Sequence, residues 1–156
     1  MIYVTVGTDT HDFSRLVREM DGIACRRKVV MQIGYTRYEP AHAAWFRFEK
    51  NRVIDSLYKK ADAVVTHAGA GSIIRSLTSG KIPLVVPRLR RFGEHINDHQ
   101  LDLARGLAQR GKVVLIEDVS RLEHAIGAKR KKGLVRDGRL VTRLEQWLVE
   151  YEKEIS

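Results

Sequence analysis

Apolar residues follow two rhythms along the chain. Short continuous runs at 2–6, 29–33, 63–66, 82–86 and 113–116 have the length and β-branched content of strands covered on both faces. Residues 45–48 (Trp-Phe-Arg-Phe) predict one further short strand. Between the runs, apolar positions recur at helical spacing: Phe13, Leu16, Val17 and Met20; Val53, Ile54, Leu57 and Tyr58; Leu101, Ala104, Leu107 and Ala108; and Leu122, Ala125 and Ile126. Residues 72–79 predict a helix ended by Gly80, and 98–109 predict another ended by Gly111. Asp9 or Thr10 stands where the first helix needs an N-cap. Pro40 breaks the loop at 35–44. The last helix covers about 139–154, with Leu140, Leu144, Trp147, Leu148 and Tyr151 on one face. The charged stretch before it, 128–138, predicts an exposed, mobile basic linker.

Strands alternating with helices predict an α/β fold, a mostly parallel sheet with helices on both faces. Ligands of such sheets bind beyond the carboxyl ends of the strands. Three loops there carry polar or glycine-rich residues: 7–9, 67–72 and 88–100.

Charge narrows the class of partner. The chain has 28 Lys and Arg against 19 Asp and Glu, a net +9. That excess favours a nucleotide, a phospholipid surface, an acidic subunit or nucleic acid; a basic surface without special role is the alternative. The 156 residues suit one α/β domain, and 44% apolar content supplies one core. A single cysteine excludes an internal disulfide, and Cys25 closes an apolar-periodic segment, which predicts a buried, inert thiol. The opening Met-Ile-Tyr-Val-Thr-Val-Gly lacks the basic region of a signal peptide. No run approaches the roughly 20 apolar residues of a membrane span.

The loop His67-Ala68-Gly69-Ala70-Gly71-Ser72 follows a strand and opens a helix. Free N–H groups of a first helical turn and the positive end of its dipole favour a phosphate there. Glycines let a backbone approach a ligand closely. Ser72 either donates to the same anion or caps the helix. A tight turn without a ligand is the plain alternative, since the loop is neither a Walker A sequence nor the dinucleotide fingerprint. The second motif runs from Arg88 through Arg90, Arg91, Glu94, His95, Asn97, Asp98 and His99 to Gln100. Asn97 and Gln100 fit a capping box. The arginines suit a diphosphate or a partner, and the carboxylates and amides suit sugar hydroxyls. His95 and His99 lie four apart beside Glu94 and Asp98, but their order is not that of a zinc helix, and no metal or cofactor is expected.

These residues resemble the C-terminal domain of family 28 glycosyltransferases, and in particular its stand-alone versions, the small subunits of two-component enzymes. The matching pieces are residues 1–8, Phe13-x-Arg15-Leu-Val, Gln32-Ile-Gly34, Tyr38-Glu-Pro40, Ala61 through Ser72 to Ile73, Gly80 through Pro83 to Arg88, and Gly93-Glu94-His95-x-Asn97-Asp98-His99-Gln100. The resemblance implies a Rossmann-like sheet equivalent to the C-terminal half of a GT-B glycosyltransferase. It covers roughly residues 1–116 and implies a nucleotide-sugar-binding domain, taken as 1–127; the charge run and the periodicity add the basic linker at 128–138 and a helix at 139–156 packed on that domain or on a partner. It implies a UDP-sugar donor and a membrane-anchored subunit that binds a lipid-pyrophosphate-linked sugar acceptor. The chain would sit at the cytoplasmic face of the membrane through that subunit and be active only with it.

Carried over by position, residues 67–72 would hold the diphosphate, with Gly7 and Thr8 at the cleft facing the partner. Asn97, Asp98, His99 and Gln100 would approach the donor sugar, Gln100 closest to its hydroxyls. Glu94 and His95 would order that loop or touch the donor. Many members carry a ribose-binding glutamate where this chain has Arg75, which cannot accept hydrogen bonds; Glu94 is the expected substitute. The catalytic base is expected on the partner. Two other classes stay open: a nucleic-acid module using the Lys129-Arg130-Lys131-Lys132 run, and a self-sufficient homodimer. The first lacks aromatics interleaved with its basic residues.

Overall fold

The computed structural model describes residues 1–128 and 138–155. Six strands form one parallel sheet: β1 (Ile2–Thr5), β2 (Val29–Gln32), β3 (Ala44–Phe46), β4 (Ala63–Thr66), β5 (Leu84–Val85) and β6 (Val114–Leu115). Their spatial order is β3-β2-β1-β4-β5-β6. The order reverses between β1 and β4, so the loops after these two strands flank the crevice where such sheets bind ligands. Thr5 pairs with Thr66, which brings Gly7 and His67 side by side.

Alternation along each strand feeds two faces. Val4, Val65, Leu84 and Val86 pack under α1 (Ser14–Ala24) and α5 (Leu122–Gly127). On the other face Tyr3 and Val64 meet α2 (Asn51–Lys60), while Val85 and Val113 meet α3 (Ala70–Thr78), α4 (His99–Gln109) and α6 (Gly138–Ile155). Leu144 and Leu148 of α6 are buried in that second cluster, and Trp147 packs against it. The last helix therefore rests on its own domain.

The expected helices and strands are present, with three local differences. Neither Asp9 nor Thr10 caps α1. Phe13 holds the N-cap position without a side-chain bond, and Asp12 accepts from the Ser14 N–H (3.2 Å) and hydroxyl (2.8 Å) instead. The capping box at α4 does not form. Asn97 accepts from the His99 N–H (3.1 Å), while Gln100 turns away to other partners. Cys25 is exposed, because it falls just past the end of α1, where the apolar face has run out. The helix ends agree with expectation. Gly80 and Gly111 both take positive φ, and Lys81 and Lys112 donate back to the Ser76 and Leu107 carbonyls. The basic run at 129–132 lies outside the described residues, as does most of the expected linker.

Candidate functional site

A cleft of about 440 Å³ opens at the carboxyl ends of β1, β2 and β4. One wall is the N-terminus of α3 with its approach, His67, Gly69, Gly71 and Ser72. Gly7 and Thr8 form the edge beside it, and Thr5 and Gln32 the floor. The facing wall comes from Phe48, Glu49, Asn51, Ile54 and Tyr58, and Arg75 of α3 reaches into it.

α3 begins at Ala70, so Gly71 and Ser72 already lie within its first turn, and Gly69 is the N-cap residue with no side-chain cap. Ser72 is therefore not a capping residue. Its Oγ lies 3.1 Å from His67 Nε2. The Gly69 N–H donates to His67 Nδ1 (3.0 Å), so Nδ1 must carry the lone pair and Nε2 the proton. Ser72 Oγ then accepts from Nε2–H, and its own proton faces the Tyr58 hydroxyl and the cleft. His67 is about nine-tenths buried; burial first, and the Arg88 charge second, push its pKa down to about 3. It is a neutral positioning group.

The glycines divide their work. A Cβ on Gly7 (φ +75°) or on Gly69 would overlap the His67 ring, whereas one on Gly71 would meet nothing within 4 Å. Two of the three glycines accommodate an imidazole; Gly71 faces open space. Free N–H groups at the start of α3, a hydroxyl oriented by His67 and no acidic side chain in the first turn give this wall the donors that an anion requires.

The second motif does not line this cleft. Arg88 is completely buried and donates to the carbonyls of Val6 (2.8 Å), His11 (2.9 Å) and Glu94 (3.2 Å), over the Phe13 ring. It is a strut, and its charge acts from behind the wall. Glu94 is also buried. It takes a bidentate pair from Arg15 (2.8 and 2.9 Å) and the Leu89 N–H (3.0 Å). Every one of those bonds holds the loop, so Glu94 is not free to replace the acceptor missing at Arg75. Asp98 accepts from the Arg90 N–H (2.8 Å), which closes the same loop. His95 lies 3.1 Å from Asn97 Oδ1 and 3.6 Å from Asp9. His99 opens α4, half-buried.

Gln100 joins the two motifs. Its carbonyl accepts from the Ala68 N–H (3.2 Å) and the Arg88 N–H (3.1 Å), fastening the anion loop to the end of β5. Its amide nitrogen stays available. Ala68 itself is buried, and Ala70 is half-buried in the first turn of α3. Arg75 donates to Asn51 Oδ1 (2.9 Å) and lies 3.9 Å from Asp55.

Several contributors were given no role by the sequence. Arg15 and Gln32 fell inside matching pieces of the family resemblance, Arg15 in an amphipathic helix and Gln32 at the end of an apolar run, without a partner or a site being expected of either. Phe48 and Glu49 fall in a loop without a composition signal. Asp9 and His11, joined by a 2.6 Å contact, showed only a two-residue spacing. Among the described residues no group of three or more His, Cys, Asp or Glu is placed to hold a metal ion, and no helix is long and apolar enough to cross a membrane.

The profile of the glycosyltransferase family 28 C-terminal domain matches residues 1–136. The Homo sapiens protein described as UDP-N-acetylglucosamine transferase subunit ALG13 is 35% identical, over 70% of this chain and 10% of that protein. Its Mus musculus counterpart is 34% identical with the same shares. The chain thus spans about a tenth of the length of these relatives. Among solved structures, the glycotransferase of kitacinnamycin superposes with a TM-score of 0.62 at 21% identity, and CalG4, the calicheamicin glycosyltransferase, with 0.59 at 16%. Each superposition covers 93% of this chain and 37% of the other, and at these identities it speaks for the fold.

Proposed function

The chain belongs to the glycosyltransferase family 28 C-terminal domain family, and from that premise we propose that it is the donor-binding subunit of a two-component, UDP-sugar-dependent glycosyltransferase. The observation that carries the reading is the wall at Gly69, Gly71 and Ser72, an anion site inside the stretch the family profile covers. The donor diphosphate sits on the N-terminus of α3, with the Ser72 hydroxyl donating to it. When the glycosidic bond to the diphosphate breaks, negative charge grows on the leaving group. Fixed N–H donors and the Arg88 charge behind them stabilise it without reorganising. The loop from Glu94 to Gln100 bears on the sugar, and the Gln100 amide nitrogen is its donor. UDP-N-acetylglucosamine is the first donor to test, from the description of the mammalian relatives.

The rest of the enzyme lies on a partner: an acceptor subunit anchored in a membrane, with a lipid-pyrophosphate-linked sugar and the base that deprotonates the attacking hydroxyl. The net +9 suits a place beside an anionic bilayer on its cytoplasmic face. Isothermal calorimetry with UDP and UDP-N-acetylglucosamine tests the donor reading. One saturable site is expected, weakened about tenfold by Ser72→Ala, the worth of one hydrogen bond to an anion. No heat from any uridine nucleotide, for the chain alone or with its partner subunit, overturns it.

A further inference from the structure

Three large aromatic side chains, Tyr35, Trp45 and Phe48, are exposed at one edge of the sheet. The edge strand β3 ends beside the end of β2. The Ile33 N–H donates to the Phe46 carbonyl (2.9 Å) and the Gly34 N–H to the Arg47 carbonyl (3.2 Å). That pairing sets Tyr35 next to Phe48, their rings edge to face with centres 5.1 Å apart. Arg47 braces the group. Its guanidinium donates to the carbonyls of Gly34 (2.9 Å) and Thr36 (2.9 Å) and to Glu39 (3.0 Å), and lies 5.7 Å from the centre of the Trp45 ring. The fold thus holds the rings in solvent, where apolar surface is unfavourable, and such a patch marks a contact.

Cations fringe the rings. Arg37 follows the Tyr35 turn, and Lys50 and Arg52 follow Phe48; all three are exposed. Among the described residues Lys50 and Arg52 form no ion pair. Arg37 feels the charge of Asp12, whose carboxylate takes its N–H (2.7 Å). Of the two glutamates nearby, Glu39 is taken by Arg47 and Glu49 accepts the Lys50 N–H (3.2 Å). Tyr and Trp fringed by Lys and Arg have the chemistry of a bilayer boundary, rings at the level of the headgroups and cations among the phosphates. The net +9 of the chain acts in the same direction. An added strand is a poorer occupant, because β3 has only three residues of edge to pair with it.

We propose that this edge binds an anionic phospholipid bilayer directly, with Tyr35 and Trp45 at the headgroup level and Arg37, Lys50 and Arg52 on lipid phosphates. The contact belongs to this chain and does not pass through a partner subunit. It goes beyond the donor-binding reading and does not depend on it. Phe48 belongs both to the patch and to the wall of the cleft, so the bound chain holds its cleft beside the bilayer surface.

Co-sedimentation of the intact chain with vesicles of phosphatidylcholine, alone or mixed in equal parts with phosphatidylglycerol, tests it. Binding is expected to the anionic vesicles only. The Arg37→Gln, Arg52→Gln double variant should weaken it about thirtyfold, about fivefold for each cation removed. The chain has two tryptophans, and Trp147 packs partly buried against the core on α6. Anionic vesicles with brominated acyl chains should therefore quench the fluorescence of the wild-type chain and leave that of Trp45→Phe unquenched. Binding to neither kind of vesicle overturns the proposal and leaves this face to a protein surface. Equal binding to both kinds, a double variant that binds as wild type does, or wild-type fluorescence unquenched at saturation overturns it as well. The UDP titration tests the donor site separately, so a chain that binds UDP but no vesicle keeps that reading and loses this one.

Discussion

His67 owes its place to two neighbours without side chains, Gly7 and Gly69, and to a backbone N–H that fixes its proton on Nε2. Such an imidazole has a thermodynamic cost in acid. Its pKa is about 3 in the folded chain and about 6.5 once unfolded. Between these values the unfolded state binds the extra proton, so the folded state loses ground as pH falls. The slope approaches about 1.4 kcal/mol per pH unit for this one group, and above about 6.5 its contribution is complete. Urea unfolding from pH 7 to 4.5 should therefore show a shallower loss of stability in His67→Gln than in wild type. Equal slopes would remove His67 as a source of acid sensitivity in this window; burial pushes the Asp9, Asp12 and Asp21 carboxyls up, but hydrogen bonds outweigh it and hold them below the usual range, so their contribution is lost only below about pH 4.

The loop between β5 and α4 shows what one buried pair does for a segment without regular structure. Arg15 reaches out of α1 and grips Glu94 with two bonds, and the same guanidinium donates to the Pro87 carbonyl (3.1 Å). Removing one partner of a buried pair leaves the other charge stranded, at about 3–5 kcal/mol. Glu94→Ala should cost that much in urea unfolding, and the Arg15→Ala, Glu94→Ala double variant should cost clearly less than the sum. Additive losses would mean that the pair acts independently. This element also marks the limit of legibility. The strands were visible because each is a continuous apolar run, and the ends of α3 and α4 because glycine alone suits the left-handed turn. The Arg15–Glu94 pair was invisible because its partners lie 79 residues apart and each has a local explanation. Gln100 misled for the opposite reason. Its spacing from Asn97 fits a cap, but two backbone N–H groups brought close by tertiary structure compete for its carbonyl and win.

Across the whole molecule, α6 closes the face of the sheet that carries the anion wall. Leu144 and Leu148 are buried against the cluster of Leu77, Leu103 and Leu107. Trp147 stacks on Tyr151 and lies under the Arg110 guanidinium, 4.2 Å from its ring centre. Since α3 is held from behind by this helix, Leu148→Ala is expected to cost about 2–4 kcal/mol, as a buried leucine does, measured by the shift in urea midpoint. A loss below about 0.5 kcal/mol, the size of a surface change, would show that α6 contributes nothing to the core. An all-parallel sheet also gives the molecule two unlike poles. Every strand ends at the cleft and starts at the opposite pole, where α1 delivers the chain into β2. Cys25 sits at that turn, exposed and the one thiol in the sequence. A maleimide dye or a surface tether attached there would hold the protein by its blunt end, with the cleft facing outward and no residue altered.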